Sequence, residues 1–180
     1  MKKLLTVIAM IFAGMQAAHA ENVYKPKPFE FERMYFGAGL TYNQILETFR
    51  YSGVSIDYDP SIGFQALIGY DLGMQINKMR VLVEGGYHDT GEFQGEVTIG
   101  GNKFEFTKRY QGPWAAAIAS YEFLPRFDGQ LRLGYDAGDA KGPLFGIGAN
   151  YWLIRNLGLQ ANIVRRSEYN SVQFNVLFRP

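Results

Sequence analysis

Through most of this chain apolar residues recur at every second position, in runs of about ten residues. The final run, Asn156 to Phe178, shows it most clearly. Leu157, Leu159, Ala161 and Ile163, then Val172, Phe174, Val176 and Phe178, share one parity. Gly158, Gln160, Asn162 and Arg166, then Ser171, Gln173 and Asn175, share the other, with Val164 and Leu177 as exceptions. A strand sends successive side chains to opposite faces, so each run reads as an amphipathic strand. Ser167-Glu168-Tyr169-Asn170 joins the two halves as a hairpin.

The same period recurs upstream. A first strand over 34–43 puts Met34, Phe36, Ala38, Leu40 and Tyr42 on one face. A loop from Ile45 to Pro60 follows. The second strand, 61–70, aligns Ile62, Phe64, Ala66, Ile68 and Tyr70, with Leu67 an exception, and Asp71 to Lys78 is a connector. The third, 79–88, sets Val81, Val83 and Tyr87 against Arg80, Glu84 and His88. Glu92 to Tyr110 reads as a polar loop hairpin that extends strands three and four. The fourth strand, 114–123, carries Ala115, Ala117, Ala119, Tyr121 and Phe123 on one face. The fifth, 127–137, opposes Leu131, Leu133 and Tyr135 to Gln130, Arg132, Gly134 and Asp136. The sixth, 144–153, opposes Phe145, Ile147, Ala149 and Tyr151 to Gly146, Gly148, Asn150 and Trp152. With the final hairpin the count is eight strands, and no helix is needed.

The N-terminus has a different character. Lys2 and Lys3 precede an apolar run to about Met15, and Ala18-His19-Ala20 follows. A basic start, a short apolar core and an A-x-A site predict a signal peptide over residues 1–20, cleaved after Ala20. The expected domains are that peptide, a periplasmic lead-in over 21–33 and a barrel over 34–180. Cleavage would leave 160 of 180 residues, enough for one domain, and removing two lysines takes the net charge from +1 to −1. That balance gives no electrostatic reason to invoke nucleic acid. With no Cys, disulfides, thiol catalysis and thiolate metal sites are excluded. Beyond the signal peptide no apolar run reaches the ~18 residues of a helical membrane span.

Two eight-stranded barrels fit. A soluble one would turn its apolar face inward around a lipophile. A membrane one would turn it outward to lipid. The polar face carries Gly, Gln, Asn and Thr with only an occasional charge, which suits a crowded lumen better than a solvated surface. With the first strand running outward from the periplasm, Phe36, Tyr70, Tyr121, Phe123, Tyr151 and Phe178 fall at periplasmic strand ends. Tyr42, Phe64, Tyr87, Tyr135 and Phe145 fall toward the outer ends. Two aromatic rings are what a bilayer favours. The expected fold is all-β, an eight-stranded antiparallel up-and-down transmembrane β-barrel. With an export signal it belongs in the Gram-negative outer membrane, both termini periplasmic. Its first and last strands should pair, because an unpaired backbone group in lipid costs several kcal/mol.

In the pattern Met34-Tyr-Phe-Gly-Ala-Gly-Leu-Thr-Tyr42, in Arg80 to Tyr87 and in Val172 to Phe178, the chain resembles the small eight-stranded outer-membrane barrels. That family includes the transmembrane domain of outer-membrane protein A and the opacity-type porin-family proteins. The resemblance implies the fold more than any activity. It implies an aromatic C-terminal signal read by the barrel assembly machinery, here Phe174, Val176 and Phe178, although Arg179-Pro180 follows. The partners implied are outer-membrane lipid and lipopolysaccharide.

Inward charges are the first candidate site. Arg80, Glu84, Glu122, Arg132 and Asp136 all have lumen parity, and opposite charges on adjacent strands are expected to pair. The network reads as a structural plug, or as a gated path for small solutes or ions. Some barrels of this architecture modify lipid A with Ser, His and a carboxylate. Ser61 (or Ser55), His88 and Asp89 could be assembled in thought, but adjacent His and Asp point to opposite faces and no nucleophile motif surrounds either Ser. No enzyme activity, cofactor or metal is expected. The loop carboxylates Glu47, Asp57, Asp59, Glu92, Glu96, Glu105 and Asp139 lack calcium-loop spacing. The segment 89–112, with Phe93, Phe104, Phe106 and Tyr110, could meet a host or envelope partner. The reading is a structural outer-membrane barrel, with a narrow channel as the alternative.

Overall fold

The computed structural model describes residues 29–45, 49–51, 54–76, 78–99 and 101–180. The expected signal peptide, and residues 21–28 of the lead-in, lie outside the described residues. The rest of the lead-in turns before the first strand. Phe31–Arg33 forms a 3₁₀ turn, closed by Arg33 Nε on Glu30 Oε2 at 2.5 Å, and Phe29 stacks on Tyr70 at 5.2 Å.

Ten strands follow: β1 (Met34–Ile45), β2 (Phe49–Tyr51), β3 (Val54–Tyr58), β4 (Ser61–Ile76), β5 (Met79–Ile99), β6 (Asn102–Leu124), β7 (Phe127–Asp136), β8 (Gly142–Trp152), β9 (Leu157–Arg165) and β10 (Tyr169–Phe178). Eight of them, β1 and β4 to β10, pair antiparallel in a closed ring. β1 and β10 close it, in register from Phe36 opposite Phe178 to Ile45 opposite Tyr169. Among the described residues there is no α-helix. This is the all-β, eight-stranded up-and-down transmembrane barrel that the alternation predicts.

Both faces follow from parity. Leu40, Ile62, Phe64, Leu131, Ile147, Ile163, Phe174 and Val176 point outward and are exposed, a lipid-facing band. Thr41, Gln65, Gln130, Asn150, Gln160, Asn162, Gln173 and Asn175 point inward and are buried. The parity exceptions explain themselves here. Leu67, Val164 and Leu177 point into the lumen and pack with Tyr35, Leu82, Trp114, Ile118, Leu144 and Trp152 as one buried cluster. An apolar residue on the polar parity is therefore a lumen filler.

Several segments differ from the sequence reading. The loop expected over 45–60 contains β2 and β3. The connector expected over 71–78 mostly continues β4, past a bulge between Asp71 and Met74. The final turn is shorter than expected, since Tyr169 already pairs with Ile45 and is buried. The 89–112 segment extends strands three and four as expected, but behind a second bulge between Asp89 and Glu92. Gly91 makes that bulge at φ 71°, and the Gly91 N–H donates to Asp89 Oδ1 at 3.0 Å. One extra residue flips the parity of β5, so Phe93 turns inward where an unbroken strand would expose it.

Close packing inside has a specific cost structure. A Cβ built on Gly69 would stand 2.1 Å from the Tyr35 ring. Gly69→Val should displace that ring and lower barrel stability by about 1–3 kcal/mol, the usual cost of overpacking. Urea unfolding in lipid vesicles measures it; an unchanged midpoint would mean that Tyr35 is not held against β4.

Candidate functional site

The lumen is built around Glu84, on β5. Its carboxylate accepts from the Tyr35 hydroxyl at 2.6 Å and from Arg132 Nη2, on β7, at 2.5 Å. Gln160 Nε2 donates to it at 3.4 Å. Both charged side chains are buried, and the Arg132 guanidinium lies 5.4 Å above the Trp114 ring. An amide ladder runs around them. Gln65 Nε2 donates to Gln173 at 3.1 Å and to Asn175 at 2.9 Å, and Asn175 Nδ2 donates to Gln160 at 2.8 Å. Charges this deep persist only when paired and hydrogen-bonded.

Two further knots lie above and below. Toward the mouth away from the chain's C-terminus, Asp136 is ion-paired with Arg166, and His88 Nε2 stands 3.3 Å from Asp136 Oδ2. The Tyr169 hydroxyl lies 3.4 Å from His88 Nε2. Above it Phe93, Tyr110, Ala140 and Tyr169 form a second buried cluster, with Tyr110 and Tyr169 stacked at 5.5 Å. Burial pushes the Tyr110 phenol above its ordinary range. At the other end Arg80 Nη2 donates to Asp128 at 2.8 Å, and the Arg179 guanidinium sits 4.1 Å over Trp152. The lumen is thus filled by an apolar plug, laced by ion pairs and capped by aromatics.

Four of the five expected lumen charges enter these knots: Arg80, Glu84, Arg132 and Asp136. The fifth, Glu122, is exposed at the rim, and its register partner Asp128 takes Arg80 instead. Its parity is right, but β6 outruns the closed ring there and the register shifts between Glu122 and Leu124. The expected pairing between adjacent strands is corrected as well. Glu84–Arg132 and Arg80–Asp128 both join β5 to β7, skipping β6, whose inward Ala116, Ile118 and Ser120 are too short or apolar to intervene. Asp128 and Arg166 complete two pairs; both continue the polar parity of their strands, so the signal was in the alternation.

The aromatic residues proposed for the girdles all lie on the outer face. Phe36, Tyr121, Phe123, Tyr151 and Phe178 are exposed near one end of the barrel, with Tyr70 half-covered by Phe29. Tyr42, Phe64, Tyr87, Tyr135 and Phe145 are exposed toward the other. Phe174, Val176 and Phe178 face outward along β10. Ser61, His88 and Asp89 have other partners: the Ser61 hydroxyl donates to Thr90 O at 2.8 Å, Asp89 is ion-paired with Arg109, and His88 faces Asp136.

Beyond the barrel mouth, β2, β3 and the outer halves of β5 and β6 form a four-stranded sheet. Phe104 and Phe106 are exposed on it. Asp57, Asp59, Glu96 and Glu105 line an open depression of about 600 Å³. Lys103 Nζ binds Glu96 at 2.8 Å, and that carboxylate holds the ammonium above its ordinary range. Among the described residues no three His, Asp or Glu side chains converge to hold a metal. Glu47 lies outside the described residues.

No protein-family model matches the chain, and no curated protein matches it. Solved structures do. Ail, the attachment invasion locus protein of Yersinia pestis, in a bilayer nanodisc, superposes at TM-score 0.46 and 12% identity, over 82% of this chain and 98% of Ail. Neisserial surface protein A superposes at TM-score 0.39 and 14% identity, over 82% and 97%. The KdgM porin does so at 0.35 and 8%, over 82% and 99%. At such distances function has to be read from this chain's own residues.

Arg132→Ala would leave Glu84 buried without its cation, and should cost about 3–5 kcal/mol. Arg132→Met with Glu84→Gln should cost far less, because neither charge then remains. Unfolding midpoints of the two variants check this; equal losses would show that the pair is not what Glu84 depends on.

Proposed function

We propose that this chain is a closed, non-enzymatic barrel of the Gram-negative outer membrane, exported by its N-terminal signal and serving the integrity of the envelope. Both termini face the periplasm on this reading. Support for that orientation is that the barrel's first and last strands begin and end at one rim, with short turns there, while the extended β5–β6 arm stands at the other. Lipid and lipopolysaccharide surround it, the β10 aromatics are read by the assembly machinery, and the outer sheet offers exposed Phe104 and Phe106 to a host or envelope partner.

One observation carries the reading against a channel: the Glu84–Arg132 pair is buried within an apolar plug beneath an aromatic cap. The alternative, a narrow pore, draws on the amide ladder Gln173–Gln65–Asn175–Gln160, which runs through the same cross-section and could line a path if the pair opened.

The refolded protein should run faster on a gel unboiled than boiled, and should give no steady conductance in planar bilayers. Stable channel events, shifted in selectivity by Glu84→Gln, would replace this reading with the pore.

A further inference from the structure

The outer wall of the barrel has a shallow trough between its lipid-facing side chains. Ala149 and Ala161 stand side by side across β8 and β9, while Gly129, next in line on β7, is covered by the Phe123 ring. Around this low floor rise Phe127, Tyr151 and Phe174, and the groove holds about 360 Å³. It opens sideways to lipid, near the rim that carries the chain's termini.

A cation stands at its end. Leu124 pairs with Phe127 around the two-residue turn Pro125-Arg126. Arg126 has φ 70°, and among the described residues it is the only non-glycine with positive φ. Pro followed by a left-handed residue is the pattern of a type II turn, where Gly or Asn is the ordinary second residue. Stability alone would not select Arg there. Its guanidinium donates to Leu153 O at 3.1 Å, bridging the β6–β7 turn to the β8–β9 turn, two residues beyond the groove-lining Tyr151. Arg155 is exposed in that second turn. Among the described residues no carboxylate pairs with either arginine.

We propose that this groove binds one anionic phospholipid of the periplasmic leaflet, its acyl chain over Ala149 and Ala161 and its phosphate at Arg126 with Arg155. The inference rests on the membrane orientation proposed above. The apolar trough gives position, and the paired cations select charge.

The test uses the full barrel in nanodiscs of equal phosphatidylglycerol and phosphatidylethanolamine, with lipids retained on the protein counted by native mass spectrometry. A cation at the membrane surface favours an anionic lipid by about five-fold, so retained phosphatidylglycerol should exceed phosphatidylethanolamine by at least about that factor. Arg126→Gly should bring the ratio close to one while leaving the unfolding midpoint nearly unchanged, because relief of the left-handed strain offsets the lost hydrogen bond to Leu153 O. Ala149→Phe with Ala161→Phe should reduce total retained lipid. Equal ratios in the wild-type and Arg126→Gly proteins would overturn the proposal, as would full lipid retention in the filled variant. A wild-type dimer that Ala161→Phe dissociates would also overturn it, since a second copy would then own the groove. Failure to enter nanodiscs at all would instead contradict the membrane reading beneath it.

Discussion

A backbone placed in hydrocarbon has no water to satisfy its N–H and C=O groups, and this constraint organises the whole chain. An open sheet would leave two raw edges in lipid. The pairing of β1 with β10, ten residues deep from Phe36–Phe178 to Ile45–Tyr169, removes both. Closing only eight strands makes the lumen narrow enough for side chains to fill. The interior then combines apolar fillers with polar side chains that bond across the bore, and glycines such as Gly69 and Gly86 leave room for the Tyr35 and Trp114 rings lying against them. The few charges admitted must find each other across the bore, as Glu84 and Arg132 do.

Much of this is written in the alternation. Strand number, closure, the outward aromatics and the inward parity of Arg80, Glu84, Arg132 and Asp136 can all be read from period two alone. What the period could not supply is the third dimension of the lumen. Parity says that a side chain points inward, but not that β5 and β7 meet over the short residues of β6. It also does not say where the closed ring stops, which is why Glu122 has the right parity and the wrong surroundings. Leu67, Val164 and Leu177 look like breaks in the pattern until the lumen is seen to need apolar filling.

The bulge at Asp89–Glu92 was illegible for a different reason. A period-two reading assumes constant register, and one inserted residue reverses the parity beyond it. Gly91 permits that reversal, and it turns Phe93 inward to join Tyr110 and Tyr169 in the cap. The same short segment therefore closes the mouth and launches the exposed sheet above it. Gly91 lies next to Thr90, whose carbonyl accepts from both Asn43 and Ser61, so β1 and β4 are also tied to the bulge. Seal and outer surface are mechanically one unit.

The central claim is that the apolar face meets lipid and the polar face meets the filled bore. Because the chain has no native cysteine, single cysteines can be introduced one at a time along β7 and labelled with an environment-sensitive fluorophore. In vesicles containing brominated lipid, labels at Leu131 and Leu133 should be strongly quenched and those at Gln130 and Gly134 weakly so, giving a period of two. Quenching with the opposite parity, or with no period, would contradict the account, because the apolar face would then not be the one in lipid.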